Sequence, residues 1–186
     1  NAGYIEPGNV ADLAPEILDR HIAINLIAPM QLTRTAARLM QTRGSGDILS
    51  IVSMGGIIAL KGSASYAASK FGLRGFLMSL RSELKDHGVR VMGIFPSGVD
   101  TPMLRYEATH NGSALNFVGK VFTAAEVADA CMGALDSGKL ETYVPYGDSI
   151  MSRLAGAFPW MIDKFLPMFE KSGEKGRAKF RAERGI

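Results

Sequence analysis

The sequence predicts an α/β fold built on a doubly wound parallel sheet. Short apolar runs alternate with longer helical patterns along the 186 residues, which indicates strands joined by helical crossovers. The strand-like runs are almost entirely apolar rather than alternating, as expected for strands buried on both faces. The length suffices for one compact domain with a hydrophobic core.

The first forty residues contain two predicted helices. Asp12 and Pro15 are helix-start signals, and apolar residues follow them at helical spacing. Pro29 is expected to break or kink this run, because proline lacks the backbone N–H that an uninterrupted helix needs. A second helix is predicted beyond Pro29, ending before Gly44-Ser45-Gly46.

Two predicted strands flank the longest predicted helix. The first strand covers residues 47–53, with the sequence DILSIVS, and the helix runs from Tyr66 to His87. Gly88 is a C-terminal cap for this helix. The second strand covers residues 89–95 and is closed by Pro96.

The remainder of the fold is less regular in sequence. Residues 102–122 lack a firm pattern, although Thr101 offers an N-cap for a helix after Pro102. Thr123 and Glu126 form a capping box that begins a helix ending near Asp136. A last strand is predicted over residues 140–144, followed by an apolar helical segment.

Composition and charge narrow the class of protein. The single cysteine, Cys131, cannot form an internal disulfide, which favours a reducing, cytoplasmic setting. Residues 171–186 carry six basic and two acidic side chains. The net charge of this stretch, 6 − 2 = +4, exceeds the net charge of +3 of the whole chain. This stretch is interpreted as a solvated basic tail, so no nucleic-acid partner is expected. His21, His87 and His110 lack metal-ligand spacing and are interpreted as surface or capping residues, so no metal site is expected.

A candidate catalytic cluster consists of Tyr66, Lys70 and Ser53. Tyr66 and Lys70 are four residues apart on a predicted helix and therefore lie on one face, although this spacing alone is common by chance. Ser53 lies thirteen residues earlier, at the carboxyl end of a predicted strand. Ligands of doubly wound sheets bind at that edge, so we expect the three side chains to converge there.

The three side chains suit proton transfer. A phenol titrates near pH 10, and a cation within about 4–6 Å lowers that pKa, so Lys70 is expected to make Tyr66 a usable general acid or base. Ser53 would hydrogen-bond a substrate oxygen on which charge develops. None of these groups carries a hydride, so a redox reaction here needs a cofactor.

Five motifs resemble those of the classical short-chain dehydrogenase/reductase family. In order, they are Asn1-Ala2-Gly3, Asn25 in INLIAP, IVS at 51–53, SYAASKFGLRGF at 65–76 and FPSGVDTPM at 95–103. The resemblance covers residues 1 to about 145. It implies a Rossmann-like fold and an NAD- or NADP-dependent oxidoreductase that interconverts a carbonyl and a secondary alcohol.

The resemblance also implies roles for individual residues. Tyr66, Lys70, Ser53 and Asn25 would be catalytic, with Asn25 holding a water in a proton relay to Lys70. The cofactor would contact Asn1, Ala2, Gly3, Tyr66, Lys70, Pro96, Val99 and Thr101. Ser97 stands where the family usually has glycine, and Gly98 follows one place later, so slightly altered backbone contacts are expected.

The glycine-rich phosphate-binding turn of the family lies upstream of Asn1. The chain is therefore expected to be a partial fold that lacks the first βαβ units, and to bind a dinucleotide weakly by itself. Residues 1–145 would form the catalytic part of the domain, 146–170 a substrate lid or C-terminal helical segment, and 171–186 the basic tail.

The segment from Ile150 to Phe169 is rich in Met, Phe and Trp. As a lid it would favour a bulky apolar substrate, such as a lipid- or steroid-like carbonyl or alcohol. Two alternatives are an oligomer contact and an interfacial membrane helix backed by the basic residues. By resemblance, the Tyr66 helix and residues 26–40 would contact partner subunits in a homodimer or homotetramer.

Two other functions share this fold. A non-catalytic dinucleotide-binding or scaffold protein commonly loses Tyr or Lys, and both are present here. An epimerase or dehydratase of the extended branch also uses Tyr and Lys. The Ser53 strand and the compact C-terminal region favour the classical branch.

Overall fold

The computed structural model describes residues 1–58, 61–158 and 160–186, and it contains a three-stranded parallel sheet. The strands are β1 (Gly46–Ile51), β2 (Val89–Pro96) and β3 (Glu141–Val144), in the order β1-β2-β3. Gly46 pairs with Val89, and Gly93 pairs with Glu141. The α/β fold with a parallel sheet, predicted from the apolar runs, is confirmed.

Seven α-helices surround the sheet in the described part of the chain. They are α1 (Pro15–Ile22), α2 (Ala28–Arg43), α3 (Ala64–Leu84), α4 (Pro102–Thr109), α5 (Ala124–Ser137), α6 (Tyr146–Ala157) and α7 (Trp160–Arg184). Helices α2 and α3 pack on one face of the sheet, and α5 packs on the other. This two-sided cover accounts for the nearly continuous apolar sequence of the strands.

The main core lies between α3 and the sheet. Leu73, Leu77 and Leu84 of α3 pack with Val91 and Phe95 of β2, and all five are buried. Burying each such side chain contributes about 2 kcal/mol, so this face fixes α3 over the sheet. The register of α3 in turn fixes where Tyr66 and Lys70, near its N-terminus, project.

The break predicted at Pro29 is a change of helix type. A π-helical turn, Ala23–Ile27, joins α1 to α2, and Pro29 lies in the first turn of α2. Because proline has no N–H to donate to the carbonyl four residues back, the helix widens there. The N–H of Ala28 bonds to the carbonyl of Ala23 instead of Ile24. This turn contains Asn25.

Residues 102–122 are more ordered than their sequence pattern suggests. Thr101 caps α4, its hydroxyl accepting from the N–H of Leu104 at 3.3 Å, and a short 3₁₀ turn covers Ala114–Phe117. The helix after Pro102 therefore exists and extends to Thr109. Because few residues of this helix are buried, its sequence shows little helical periodicity of apolar residues.

The interpretation of residues 171–186 as a solvated tail is wrong. Residues 171–184 are the second half of α7, where Phe180 is buried against Phe117. Gly176 permits this packing, because a Cβ there would lie 2.0 Å from the carbonyl oxygen of Phe117. Within the described residues, no helix has the combination of length and apolarity that crossing a membrane requires.

Candidate active site

A cavity of about 810 Å³ lies at the carboxyl edge of the sheet. The structure brings to its walls nine of the residues predicted to be catalytic or to bind cofactor. They are Asn1, Ala2, Gly3, Ser53, Tyr66, Lys70, Pro96, Val99 and Thr101. These residues come from four separate parts of the sequence, so the fold assembles the predicted site.

Ser53 and Tyr66 are in direct contact. The hydroxyl of Ser53 hydrogen-bonds the phenol of Tyr66, and its oxygen also accepts from the N–H of Gly55 at 3.0 Å. Ser53 follows β1 with φ 151° and ψ 158°, a backbone region that non-glycine residues rarely occupy. The residue with this backbone conformation is therefore the one that contacts the Tyr66 phenol.

The phenol pKa differs from the sequence expectation. In the chain by itself, burial raises the pKa of Tyr66 to about 12; the Ser53 hydrogen bond opposes that rise, and the charge of Glu107 adds to it. Lys70 does not lower the pKa as expected. Its ammonium lies 5.8 Å from the centre of the Tyr66 ring and donates to the carbonyl of Ile51 at 3.3 Å.

Lys70 is a buried cation. Burial lowers the pKa of its ammonium to about 8, so Lys70 is still mainly charged at neutral pH. The bond to Ile51 joins α3 to the last residue of β1 and holds the Lys70 side chain over the sheet edge. An ammonium has three protons to donate, and in the described residues only Ile51 accepts one.

Asn25 is buried, but it is not among the residues that line the cavity. Its side-chain oxygen accepts from the N–H of Tyr4 and its NH₂ donates to the carbonyl of Tyr4, both at 2.8 Å. This pair of bonds fixes the chain immediately after Asn1-Ala2-Gly3. The geometry therefore connects Asn25 to the wall of the cavity through Tyr4.

The turn after β2 keeps its close packing despite the shifted glycine. A Cβ on Gly98 would lie 2.2 Å from the carbonyl oxygen of Asn116, so this position, one after Ser97, is the one that needs glycine. The carbonyl of Gly98 accepts from the N–H of Phe122 at 2.8 Å. Thr101, whose hydroxyl donates to the carbonyl of Val99 at 3.2 Å, completes the turn.

His21 was misjudged from the sequence. It is fully buried rather than a surface residue, its Nε2 accepting from the N–H of Glu6 at 3.0 Å and its Nδ1 lying 3.0 Å from the hydroxyl of Ser65. Burial lowers the pKa of its imidazole. Its ring lies 6.3 Å from that of Tyr66, so His21 supports the start of α3. His21 lies four residues after Ile17, and this helical spacing from an apolar residue could have indicated that His21 is buried.

Glu107 was not singled out from the sequence. This residue of α4 lines the cavity with only 4% of its surface exposed, and its Oε1 accepts from Nδ2 of Asn116 at 2.9 Å. Burial raises the pKa of its carboxyl to about 8. Its spacing three residues after Leu104, on the buried face of α4, could have indicated a buried acid.

A second cavity of about 260 Å³ lies between α6, α7 and the loop after Ser53. It shares Ser97, Gly98 and Asn116 with the larger cavity, so the two adjoin. Most of its remaining wall is apolar. The apolar side chains include Met54, Ile58, Leu115, Met151, Leu166 and Phe169.

Comparison with known proteins identifies the family. The short chain dehydrogenase family matches residues 1–112. Short-chain dehydrogenase reductase 3b of Arabidopsis thaliana is 35% identical over 142 residues, 71% of this chain and 55% of that protein. The 3-oxoacyl-(acyl-carrier-protein) reductase of Mycobacterium avium is 35% identical over 133 residues, 70% of this chain and 52% of that protein. The chain therefore belongs to the short-chain dehydrogenase/reductase family.

The chain spans about half the length of these relatives. Among solved structures, it resembles a short-chain dehydrogenase from Sphingobium yanoikuyae in complex with NADPH, with a TM-score of 0.72 and 24% identity. The match covers 88% of this chain and 62% of that one. The three-stranded sheet is thus part of a Rossmann-like sheet, as the resemblance implied.

Proposed function

We propose that the protein is an NAD- or NADP-dependent oxidoreductase that interconverts a carbonyl and a secondary alcohol. The observation that carries the proposal is the convergence of Ser53, Tyr66 and Lys70 on one cavity at the carboxyl edge of the sheet. Membership of the short-chain dehydrogenase/reductase family supports it independently.

In this proposal Tyr66 gives a proton to the substrate oxygen during reduction and takes it back during oxidation. Ser53, already bonded to the phenol, hydrogen-bonds the same substrate oxygen and polarises the carbonyl. Lys70 would hold the ribose of the cofactor, with its ammonium 5.8 Å from the centre of the Tyr66 ring. Asn25 keeps its proposed place in the proton relay, with its amide held by the backbone of Tyr4.

The residues present fit the nicotinamide end of a dinucleotide. The unused donors of Lys70 suit ribose hydroxyls, and Thr101 lies on the cavity at the turn formed by Pro96 and Val99. The buried hydroxyl of Ser97 has no hydrogen-bond partner in the described residues, as at a place where a ligand completes the bonding. The cofactor would supply the hydride, and Asn1-Ala2-Gly3 would form a wall beside it.

We propose a bulky apolar substrate. The apolar 260 Å³ cavity next to the Tyr66 site supports this, with Leu166 and Phe169 of α7 on its wall. Residues 146–170 are then the lid, although Pro159 and the side chains of residues 148, 161, 163 and 165 lie outside the described part. Residues 1–145 remain the proposed catalytic part and 171–186 the basic end.

The surface supports a homodimer or homotetramer. Leu32 and Leu39 of α2 and Phe71 and Met78 of α3 are exposed apolar residues, on the helices predicted to meet a partner subunit. Exposed apolar side chains on neighbouring helices favour burial against another copy. A cytoplasmic location, with peripheral membrane contact through the C-terminal segment as an addition, stays a prediction.

The test is a spectrophotometric assay of the natural protein with NADH or NADPH and a panel of aliphatic, aromatic and polycyclic ketones. We expect cofactor oxidation matched by formation of the secondary alcohol. Cofactor binding without turnover of any ketone or alcohol would indicate a non-catalytic protein. Product formation without net cofactor turnover would indicate an epimerase or dehydratase. Either result would overturn the proposal.

A further inference from the structure

We propose that Glu107 is a specificity-determining residue that hydrogen-bonds a hydroxyl group on the substrate, near the carbonyl that reacts at Tyr66. The inference rests on the proposed function and adds a second recognition point to the same site. It makes the preferred substrate a hydroxyketone, or the corresponding diol, rather than a plain ketone.

The placement of Glu107 on an apolar helix face is the first observation. On α4 it shares the buried face with Leu104 and Ala108, which pack on Phe117 and Phe180. A carboxyl in such surroundings costs free energy unless hydrogen bonds satisfy it. In the described residues, the only hydrogen bond to its side chain comes from Asn116.

The second observation is that Glu107 lines the cavity that contains Tyr66. The residue lines the same cavity as Ser53, Tyr66 and Lys70, and it lies close enough for its charge to act on the Tyr66 phenol. A substrate group that Glu107 holds is therefore near the carbon that reacts at Tyr66. One carboxyl oxygen bonds to Asn116, which leaves the other available for a ligand.

Ser97 and Asn116 mark the place where the two cavities meet. The hydroxyl of Ser97 is buried without a partner in the described residues. A substrate with its apolar body under α6 and α7 would present its polar end toward this junction. The cavities thus combine an apolar pocket with a polar end.

A neutral hydroxyl fits Glu107 better than an ammonium group does. A hydroxyl accepts from a protonated carboxyl and donates to an ionised one, so it suits either form of the acid. The other charged or titratable groups on this cavity are Tyr66 and Lys70 of α3 and Asp129 and Cys131 of α5, and the Lys70 cation would repel a second cation. An amine substrate is therefore the alternative that the test must separate.

The experiment compares a cyclic ketone with the same ketone carrying a hydroxyl on the adjacent carbon, and with the matching amino ketone. It uses the natural protein, Glu107→Gln and Glu107→Leu, with Glu83→Gln at an exposed position as the control. We expect the wild type and Glu107→Gln to prefer the hydroxyketone in kcat/KM by about tenfold or more. In Glu107→Leu the ratio of kcat/KM for the hydroxyketone to kcat/KM for the plain ketone should fall to about one.

Thermal unfolding of each variant verifies that it is folded. A preference that survives in folded Glu107→Leu would overturn the proposal, and so would a wild type that treats ketone and hydroxyketone alike. A preference for the amino ketone, lost in Glu107→Gln as well, would assign Glu107 to a cation instead. If the wild type reduced none of the three compounds, the proposed function would fail rather than the role of Glu107.

Discussion

The two adjoining cavities differ in the elements that build them. The larger one is lined by residues at the ends of β1 and β2 and at the start of α3, where hydrogen bonds such as Lys70 to Ile51 join helix to sheet. The smaller one is covered by α6 and α7, which lie outside the sheet. Rigid elements hold the groups that must be placed accurately, and peripheral helices shape the apolar pocket. We infer that chemistry and substrate selection are separable here.

Of the two cavities, Glu107 lines the larger one and not the smaller one. It is carried by α4, whose Leu104 packs on Phe180 of α7. A substitution in α7 that shifts α4 is therefore expected to move Glu107 at the wall of the larger cavity. We expect changes at the sheet edge to have the largest effects and changes farther from it to have smaller ones.

Removing one oxygen at the sheet edge should have the largest effect. Tyr66→Phe deletes the proposed proton donor, so we expect kcat to fall about a thousandfold or more while the fold survives. Stopped assays for alcohol product would measure the loss, and circular dichroism would verify the fold. Tyr106→Phe removes an exposed hydroxyl that bonds to Glu6 and is the matched control. Substantial activity in Tyr66→Phe would refute its role.

Truncating Phe180 tests whether the C-terminal half of α7 is docked on the rest of the fold. Phe180 is buried and packs on Phe117, with ring centres 5.5 Å apart. We expect Phe180→Ala to lower the free energy of unfolding by about 3–4 kcal/mol, because it leaves a cavity in that cluster. Urea unfolding would measure this, with the exposed neighbour Lys179→Ala as control. An unchanged midpoint would mean that the end of α7 is not docked.

Glu107 makes stability depend on pH. Its pKa in the folded chain, about 8, lies above its ordinary value of 4.5. Between these pH values the folded state retains a proton that the unfolded state releases, so the stability that Glu107 contributes is full at low pH and is lost as pH rises to about 8.

Glu107→Gln cannot ionise and should escape that loss. Between pH 4 and pH 9, we expect the free energy of unfolding of Glu107→Gln to rise relative to that of the wild type by on the order of 5 kcal/mol. Urea titrations at several pH values would measure the difference. Glu83→Gln should follow the wild-type curve, and an equal pH dependence in Glu107→Gln would show that the buried carboxyl does not titrate as described.

The smallest effect is expected in the apolar cavity. Leu166→Ala removes apolar contact area there, so KM for a bulky ketone should rise by about tenfold while kcat for a small ketone changes little. Steady-state kinetics on both substrates would separate the two. Met168→Ala, an exposed residue of the same helix, is the control. A loss of kcat on the small ketone would contradict the separation of chemistry from selection.

Much of the architecture was predictable because it depends on local patterns. Apolar runs of strand length, the capping box at Thr123 and Glu126, the helix end before Gly44 and the cap at Gly88 each have a nearby physical cause, and all are present in the structure. The residues of the candidate site were predictable for a related reason. Carboxyl ends of parallel strands meet at one edge, so Ser53 and Tyr66 had to approach one another.

Other features depended on contacts between segments distant in sequence. The basic stretch at the end of the chain resembles a solvated tail, and only the packing of Phe180 on Phe117 makes it part of the fold. His21 and Glu107 resemble surface residues by type, and their burial follows from what covers α1 and α4.

The sequence by itself determined the fold class, the family resemblance and the residues of the candidate site, since those depend on spacing and residue type. Tertiary structure alone decided their electrostatics. The sequence led us to expect that Lys70 lowers the pKa of Tyr66, yet burial raises that pKa to about 12 and lowers that of Lys70 to about 8. The reason is that desolvation depends on everything packed around a group, which no spacing along the chain encodes.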